Sequence, residues 1–249
     1  MISPKIKLIQ YAGTNGILTL SPPCAKVHMA LQFKGLEYET YNCKSPKDVK
    51  RFNARGRLPS LQVDGEVFVD SSDILTELDR IQPEPPLLPK DPKLRAQCLL
   101  LEDWVDEVLY FYGVYLRWVD IQGFAWLKQA VFGTLPAPLR LIVAPIVRRQ
   151  VKSRLDGQGT GLKPLEVVQR ELAERLQLLS DFLGEQTYFC GQAISRADLS
   201  LAASLDQTQI LGLPPVLQID LARWPNLQNW LQRVHGAVPA AAIKETGPF

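Results

Sequence analysis

Two hydrophobic periods divide the chain. In residues 5–11, Ile6, Leu8 and Tyr11 stand against Lys5, Lys7 and Gln10, an alternation that predicts a half-buried strand. From Cys24 the period lengthens. Val27, Ala30 and Leu31 fall three and four residues apart, as on one helix face, and Gly35 stands where a C-cap would end that helix. Residues 38–43 read as a second strand and 47–52 as a short helix. Two further strands, 58–63 and 67–69, flank Asp64-Gly65, a dipeptide whose tolerance of positive φ suits a tight hairpin. Asp70, Ser71, Ser72 and Asp73 then offer oxygens for a helix start, and Ile74, Leu75, Leu78 and Ile81 give that helix a buried face. The predicted order is β-α-β-α-β-β-α.

Five prolines in residues 82–92 break this pattern and read as a semi-rigid linker, since proline cannot serve a central strand. Beyond them the period stays helical. Leu94, Cys98, Leu101, Val105, Val108 and Tyr112 form one stripe of a long helix, with Glu102, Asp103, Asp106 and Glu107 off it. A second helix carries Val168, Leu172, Leu176, Leu179 and Leu183 and stops at Gly184. Ser195 and Asp198 have the spacing of a capping box, with Ile194 placed to staple onto Leu199. Pro225 opens a last helix through Leu227, Trp230, Leu231 and Val234. The expected division is therefore 1–82, a linker 83–92, and an all-helical part 93–249.

Composition narrows the function classes. With 249 residues, 46% hydrophobic, 22% charged and a net charge of +2, the chain has room for two cores and no excess of charge that calls for nucleic acid. Its four cysteines, Cys24, Cys43, Cys98 and Cys190, are far apart, and with two histidines they make no metal-ligand spacing and no disulfide framework. No metal is expected, and a reducing, cytoplasmic setting is. The first residues lack the apolar core of a signal peptide.

The stretch with chemical character is Leu20-Ser21-Pro22-Pro23-Cys24-Ala25-Lys26-Val27, a turn feeding a helix. The prolines suit a first helical turn, and Ser21 stands at its start. Unsatisfied N–H groups and the helix dipole favour an anion there, and a neighbouring hydroxyl can donate to it.

Several motifs in order resemble those of the glutathione transferases. Leu58-Pro59 is similar to the cis-proline heading the third strand of thioredoxin-like folds. Asp70-Ser71 stands where the family carries Glu-Ser, and Ser195 with Asp198 resembles the capping box of its helical domain. Ser21-Pro22-Pro23-Cys24, followed by Val27, is similar to the Ser-x-Pro-[Ser/Cys]-x-x-Val of the theta-like, serine-type classes. The resemblance implies an α/β plus all-α fold: a thioredoxin-like N-terminal domain followed by an all-helical domain.

It also implies a division of labour. Ser21 would hold the sulfur of glutathione, the co-substrate, as a thiolate. Lowering a thiol pKa from about 8.5 by two units takes about 2.7 kcal/mol, within reach of a charged hydrogen bond of about 1.5–3 kcal/mol and a helix N-terminus of about 0.3–1 kcal/mol. The backbone of Leu58, beside Pro59, would pair with the cysteinyl unit. Asp70 and Ser71 would hold the γ-glutamyl end and Arg57 the glycyl carboxylate. A small hydrophobic electrophile would lie between the domains against Tyr112, Tyr115 and Trp118, with Tyr110 and Phe111 on the same stretch. Cys24, at the resolving position of a glutaredoxin-type motif, is a candidate redox thiol, and Tyr11, at the end of the first strand, reads as packing, with the tyrosine of the tyrosine-type classes as its alternative role. A homodimer is implied, and a non-catalytic ligand carrier is the competing class.

Residues 123–155 fit this family least. Apolar runs there end in Arg148, Arg149, Lys152 and Arg154, which reads as an insertion that packs a subunit interface or as a peripheral membrane contact. The pattern, with Asp70-Ser71-Ser72, also resembles the membrane-associated prostaglandin E synthase type 2 family, whose Cys-Pro-x-Cys motif is missing here. A glutathione-dependent isomerase, peroxidase or thiol transferase at a membrane surface is what that resemblance implies.

Overall fold

The computed structural model describes residues 4–239 and 244–245. The first part follows the predicted order: β1 (Ile6–Gln10), α1 (Pro22–Phe33), β2 (Glu39–Asn42), α2 (Pro46–Phe52), β3 (Ser60–Val63), β4 (Glu66–Val69) and α3 (Ser71–Ile81). β1 runs parallel to β2 and antiparallel to β3, which pairs antiparallel with β4. Asp64 and Gly65 both take positive φ, 49° and 99°, as a tight hairpin of this twist requires. The chain then becomes helical: α4 (Pro92–Trp104), α5 (Tyr110–Trp118), α6 (Ile121–Phe132), α7 (Ala137–Gln158), α8 (Leu165–Leu183), α9 (Arg196–Asp206) and α10 (Pro225–Ala237).

Two features depart from the sequence reading. The helix expected from Leu94 is broken by a π-helical turn, Val105–Leu109, between α4 and α5. The C-terminal part is not wholly helical either, because Lys244–Glu245 (β5) returns to pair in parallel with β2 and completes a sheet ordered β4-β3-β1-β2-β5. A two-residue edge strand carries no periodicity to read.

One apolar core runs through both parts. Leu8, Val27, Leu31, Leu61, Ile74 and Leu78 from the sheet side are continuous with Cys98, Val105, Leu199, Ala202 and Trp230 from the helices. α9 lies against both α1 and α4, and its fully buried Ala197, Ala202 and Ala203 permit that approach. Its start is fixed by the fully buried Asp198, which accepts from the Ser195 N–H (2.9 Å), the Ser195 hydroxyl (2.6 Å), the Phe189 N–H (3.0 Å) and Trp230 Nε1 (2.8 Å). The capping box read from Ser195 and Asp198 is present.

A buried polar chain ties α1 to the sheet. His28, 2% exposed, meets Tyr38 Oη at 2.8 Å through Nδ1 and Gln10 Oε1 at 2.5 Å through Nε2, while Gln10 Nε2 donates to Leu18 O and Asn42 Oδ1, both at 3.0 Å. An acceptor at Nε2 puts the proton on that nitrogen, which leaves Nδ1 to accept from the tyrosine. Burial lowers the His28 pKa to about 4. Between that value and the unfolded value of about 6.5 the unfolded chain takes up a proton that the folded chain refuses, so stability falls as pH drops through this window. Denaturant midpoints measured from pH 7 down to 4 are expected to show this loss, of order ~3 kcal/mol in full, and His28→Gln is expected to flatten it.

Candidate active site

Strand register gathers the site. Ile9 pairs with Ser60 and Ser60 with Val69, so the end of β1, the start of β3 and the end of β4 lie at one end of the sheet. The Leu58-Pro59 peptide and Asp70-Ser71 adjoin those residues in sequence, and the turn carrying Ser21 is brought back to the end of β1 by the Leu20 N–H, which donates to Ala12 O at 3.3 Å, and by Cys24, which packs with Ile9 and Leu58.

Ser21 is the N-cap residue of α1, with extended backbone (φ −104°, ψ 114°) and no capping hydrogen bond from its side chain. Pro22 and Pro23 at the first two helical positions carry no N–H, which leaves the Cys24 N–H as the one capping donor of the first turn, and the Ser21 side chain does not take it. The Ser21 hydroxyl instead lies beside the thiol of Cys24, together with the Thr19 hydroxyl and the Tyr11 backbone N–H. Cys24 itself is fully buried, and burial pushes its thiol up to about 11. A thiol held neutral behind the turn is inert, which corrects the reading of Cys24 as a redox group.

The turn is clamped from both domains. Thr19 Oγ1 donates to Tyr11 O (2.7 Å) and accepts from the Ser21 N–H (3.2 Å). From the helical side, Arg117 of α5 donates to Leu20 O (2.8 Å) and Gln207 O (3.0 Å), and Gln207 Nε2 donates to Thr19 O (3.2 Å). Arg117 is 8% exposed, and burial lowers its pKa to about 10, which leaves it a cation at neutral pH.

The other half of the site sits on β3 and α3. The Leu58-Pro59 peptide is cis, and Leu58 is buried among Ile9, Cys24, Tyr41 and Val49. Asp70 caps α3 by accepting from the Ser72 N–H at 3.0 Å, and its backbone is held at φ 78°. A non-glycine residue there costs roughly 1–3 kcal/mol and persists only where its surroundings over-determine it. Asp70 stays exposed, whereas Ser71, the first residue of α3, is 8% exposed. Arg57 is exposed, and its carbonyl accepts from Asn53 Nδ2 at 2.9 Å.

Behind these two helix starts lies a cluster of charges, of which the sequence pattern shows Glu102 and Asp106 only as lying off the apolar stripe. Lys26 of α1 is paired with Glu102 of α4 and, at 2.6 Å, with Asp106 of the π-helical turn. Arg196 of α9 is paired with the same Glu102 and donates to Ser72 O at 2.7 Å. Ser72 Oγ donates to Glu102 (2.9 Å), and Ser200 Oγ donates to Asp106 (2.7 Å). Lys26 and Glu102 are each 1% exposed. Two cations near Glu102 hold its carboxyl below the usual range even though burial opposes them.

The aromatic wall differs from expectation. Tyr112 (2% exposed) donates to Glu171 Oε2 at 2.6 Å, with the Arg175 guanidinium 4.5 Å from its ring centre, and Tyr115 (5% exposed) donates to Lys163 O at 2.8 Å. Both belong to the interior of the helical domain and line no open surface, because their hydroxyls find partners on and beside α8. Trp118 packs against Phe124, 6.1 Å between ring centres. Tyr110 is the member of the group that faces the turn, sharing one electrostatic neighbourhood with Cys24, Arg57, Arg117 and Arg154. Tyr11 joins it there, beside Cys24, Cys43 and Arg154. Desolvation by their surroundings raises both phenols, Tyr11 to about 12, so both stay protonated at neutral pH, although Tyr11 is 41% exposed and so is not the packing residue expected of it.

Residues 17–86 match the family model for the glutathione S-transferase N-terminal domain, and residues 139–236 match the model for its C-terminal domain. The chain belongs to the glutathione S-transferase superfamily. Members of this superfamily use glutathione as co-substrate. The isoprene-epoxide glutathione S-transferase of Rhodococcus sp. is 27% identical over 236 residues, covering 92% of this chain and 97% of that one. Protein LigF of Sphingobium sp. is 27% identical over 244 residues, covering 94% and 91%. The crystal structure of that protein, titled beta-etherase LigF, superposes with a TM-score of 0.64 at 22% identity, covering 94% of this chain and 97% of that one. Such transferases set the thioredoxin-like and helical parts against each other as here. Sequence reasoning missed the residues that hold this arrangement, Lys26, Glu102, Arg117 and Arg196, since only the register of α1 against α4 and α9 reveals their partners.

Removing one member of a buried charge cluster strands the others. Lys26→Met is expected to cost about 3–5 kcal/mol in urea denaturation. Breaking the exposed Arg170–Glu174 pair of α8 is the control, expected to cost under about 0.5 kcal/mol.

Proposed function

We propose that the protein is a cytoplasmic, homodimeric glutathione transferase in which Ser21 holds glutathione as its thiolate for attack on a small hydrophobic electrophile. The observation that carries this reading is the Ser21 hydroxyl, uncommitted to capping at the start of α1 and at the same end of the sheet as Pro59 and Asp70. Asp70 and Ser71 would bind the γ-glutamyl end at the start of α3, and the backbone of Leu58 the cysteinyl unit. Arg57, exposed near Tyr110, would meet the glycyl carboxylate. The cations around the turn, Arg57, Arg117 and Arg154, add to the preference for a thiolate. Among the described residues no helix is long and apolar enough to cross a membrane.

The electrophile we favour is a carbon bonded to oxygen, as the names of the two relatives, an epoxide-conjugating transferase and an etherase, describe for those proteins. Sulfur would form its bond to carbon as the C–O bond breaks, with both electrons going to oxygen. Tyr110, its phenol kept protonated by desolvation, would donate a hydrogen bond to that developing oxyanion and then pass it the proton, which solvent would restore to the tyrosine.

Ser21→Ala is expected to lower kcat/KM about ten- to hundred-fold and to move the pKa of its pH profile up toward the free-thiol value of about 8.5, with glutathione affinity nearly unchanged. An unchanged profile would remove Ser21 from the chemistry and favour a carrier of the same fold. Tyr110→Phe is expected to slow conjugation of an epoxide about ten-fold, with a much smaller effect on chlorodinitrobenzene, whose leaving chloride takes no proton.

A further inference from the structure

Residues 121–155 hold six lysines and arginines and no aspartate or glutamate, in a chain whose net charge is only +2, so the remainder is net negative. They build α6 and α7, and α7 divides its faces unusually. Ala144 and Leu155 turn inward, 0% and 1% exposed. The opposite face presents Leu141, Ile142 and Ile146 at 63%, 61% and 53% exposure, with Pro145 exposed between them. At the same helical spacing, one turn further on, Arg149 is exposed and Lys152 borders it.

These cations also line an open groove of about 480 Å³ between Phe124 and α7, bounded by Pro145, Arg148, Arg149, Lys152 and Ser153, with Asp156 at its end. Arg148 is already committed, donating to Trp118 O and Val119 O at 2.8 Å each and covering the Phe124 ring. Among the described residues Arg149 and Lys152 have no ion pair.

We propose that this face of α7 docks on the surface of an anionic lipid bilayer. Leu141, Ile142 and Ile146 enter the region beneath the headgroups while Arg149 and Lys152 meet the lipid phosphates, the arrangement of an amphipathic helix lying in the membrane plane. Charge selects this occupant over a second copy of the chain. A two-fold contact through the same face would bring two copies of Arg149 and Lys152 into one interface, with no acid on α6 or α7 before Asp156 to offset them. The bilayer supplies the missing sign of charge. Docking leaves the helix on the surface, because α7, at 22 residues, is too polar to cross. This inference does not depend on the chemistry of Ser21.

The test is co-sedimentation of the full chain with vesicles of phosphatidylcholine containing phosphatidylserine, against vesicles of phosphatidylcholine alone. Binding is expected to the first and to weaken with added salt. The double variant Arg149→Gln, Lys152→Gln is expected to bind roughly thirty-fold more weakly, about five-fold for each cation. Ile142→Asp with Ile146→Asp is expected to abolish binding, and all these side chains are surface ones, so far-UV circular dichroism should match the parent. Equal partitioning to both vesicle types overturns the proposal, as does phosphatidylserine binding that survives both double variants. Vesicle binding absent while Ile142→Asp converts a dimer to a monomer in sedimentation velocity also overturns it, in favour of a second copy.

Discussion

A lysine ammonium buried between two carboxylates holds the two parts of this protein in one relation. Lys26 comes from α1, Glu102 and Asp106 from α4 and the turn after it, and Arg196 from α9, so the cluster is neutral in sum and drawn from both parts of the chain. Desolvating four charges costs several kcal/mol each, and their attraction offsets this only when every partner is in place. Apolar burial between α1 and α9 is non-directional and tolerates a helix sliding on its neighbour. The charges do not. Ser72 joins the cluster through both its hydroxyl and its carbonyl, so the starts of α1 and α3 are referred to the same fixed point.

That constraint explains what could be read from the sequence and what could not. The hairpin at Asp64-Gly65, the start of α3 at Asp70 and the box at Ser195 and Asp198 are local, their partners lying within a few residues. Glu102 was legible only as a polar position off an apolar stripe, the usual sign of a solvated face. Its partner Arg196 lies 94 residues away, and nothing near Glu102 announces it. The π-helical turn was equally silent, since it shifts the register of a helix without changing which residues are apolar. Tyr112 and Tyr115 misled for the opposite reason: an aromatic run on the expected helix suits a substrate wall and a core alike. Glu171 and the Lys163 carbonyl, on and beside α8, decide for the core.

The site shows the same split between local and distant causes. Ser21, Pro59 and Asp70 could be picked out because each breaks or starts an element, and such breaks are where backbone groups remain unpaired. Their meeting at one end of the sheet follows from the register of three strands. The electrostatic surroundings of the turn come from elsewhere: Arg117 and Tyr110 from α5, Arg154 from α7, and Tyr11 from the loop after β1. Desolvation depresses Arg117 only to about 10 and raises Tyr11 to about 12, so near neutrality the cation stays charged and the phenol stays neutral. Positive charge and proton donors are therefore present together without a carboxylate among the groups that perturb Tyr11 and Tyr110.

α7 joins this electrostatic arrangement to the outside of the molecule. The helix is too polar at its end to be core and too apolar in its middle to be an ordinary solvated face. Its inward residues pack under α5, where Arg148 closes the last carbonyls of that helix, and Arg154 lies within electrostatic reach of Tyr11 and Tyr110. A rigid helix cannot turn its outer face toward a partner without carrying its inner contacts along. Anything that holds Leu141, Ile142 and Ile146 therefore also orients α5, whose Arg117 clamps the turn at Leu20.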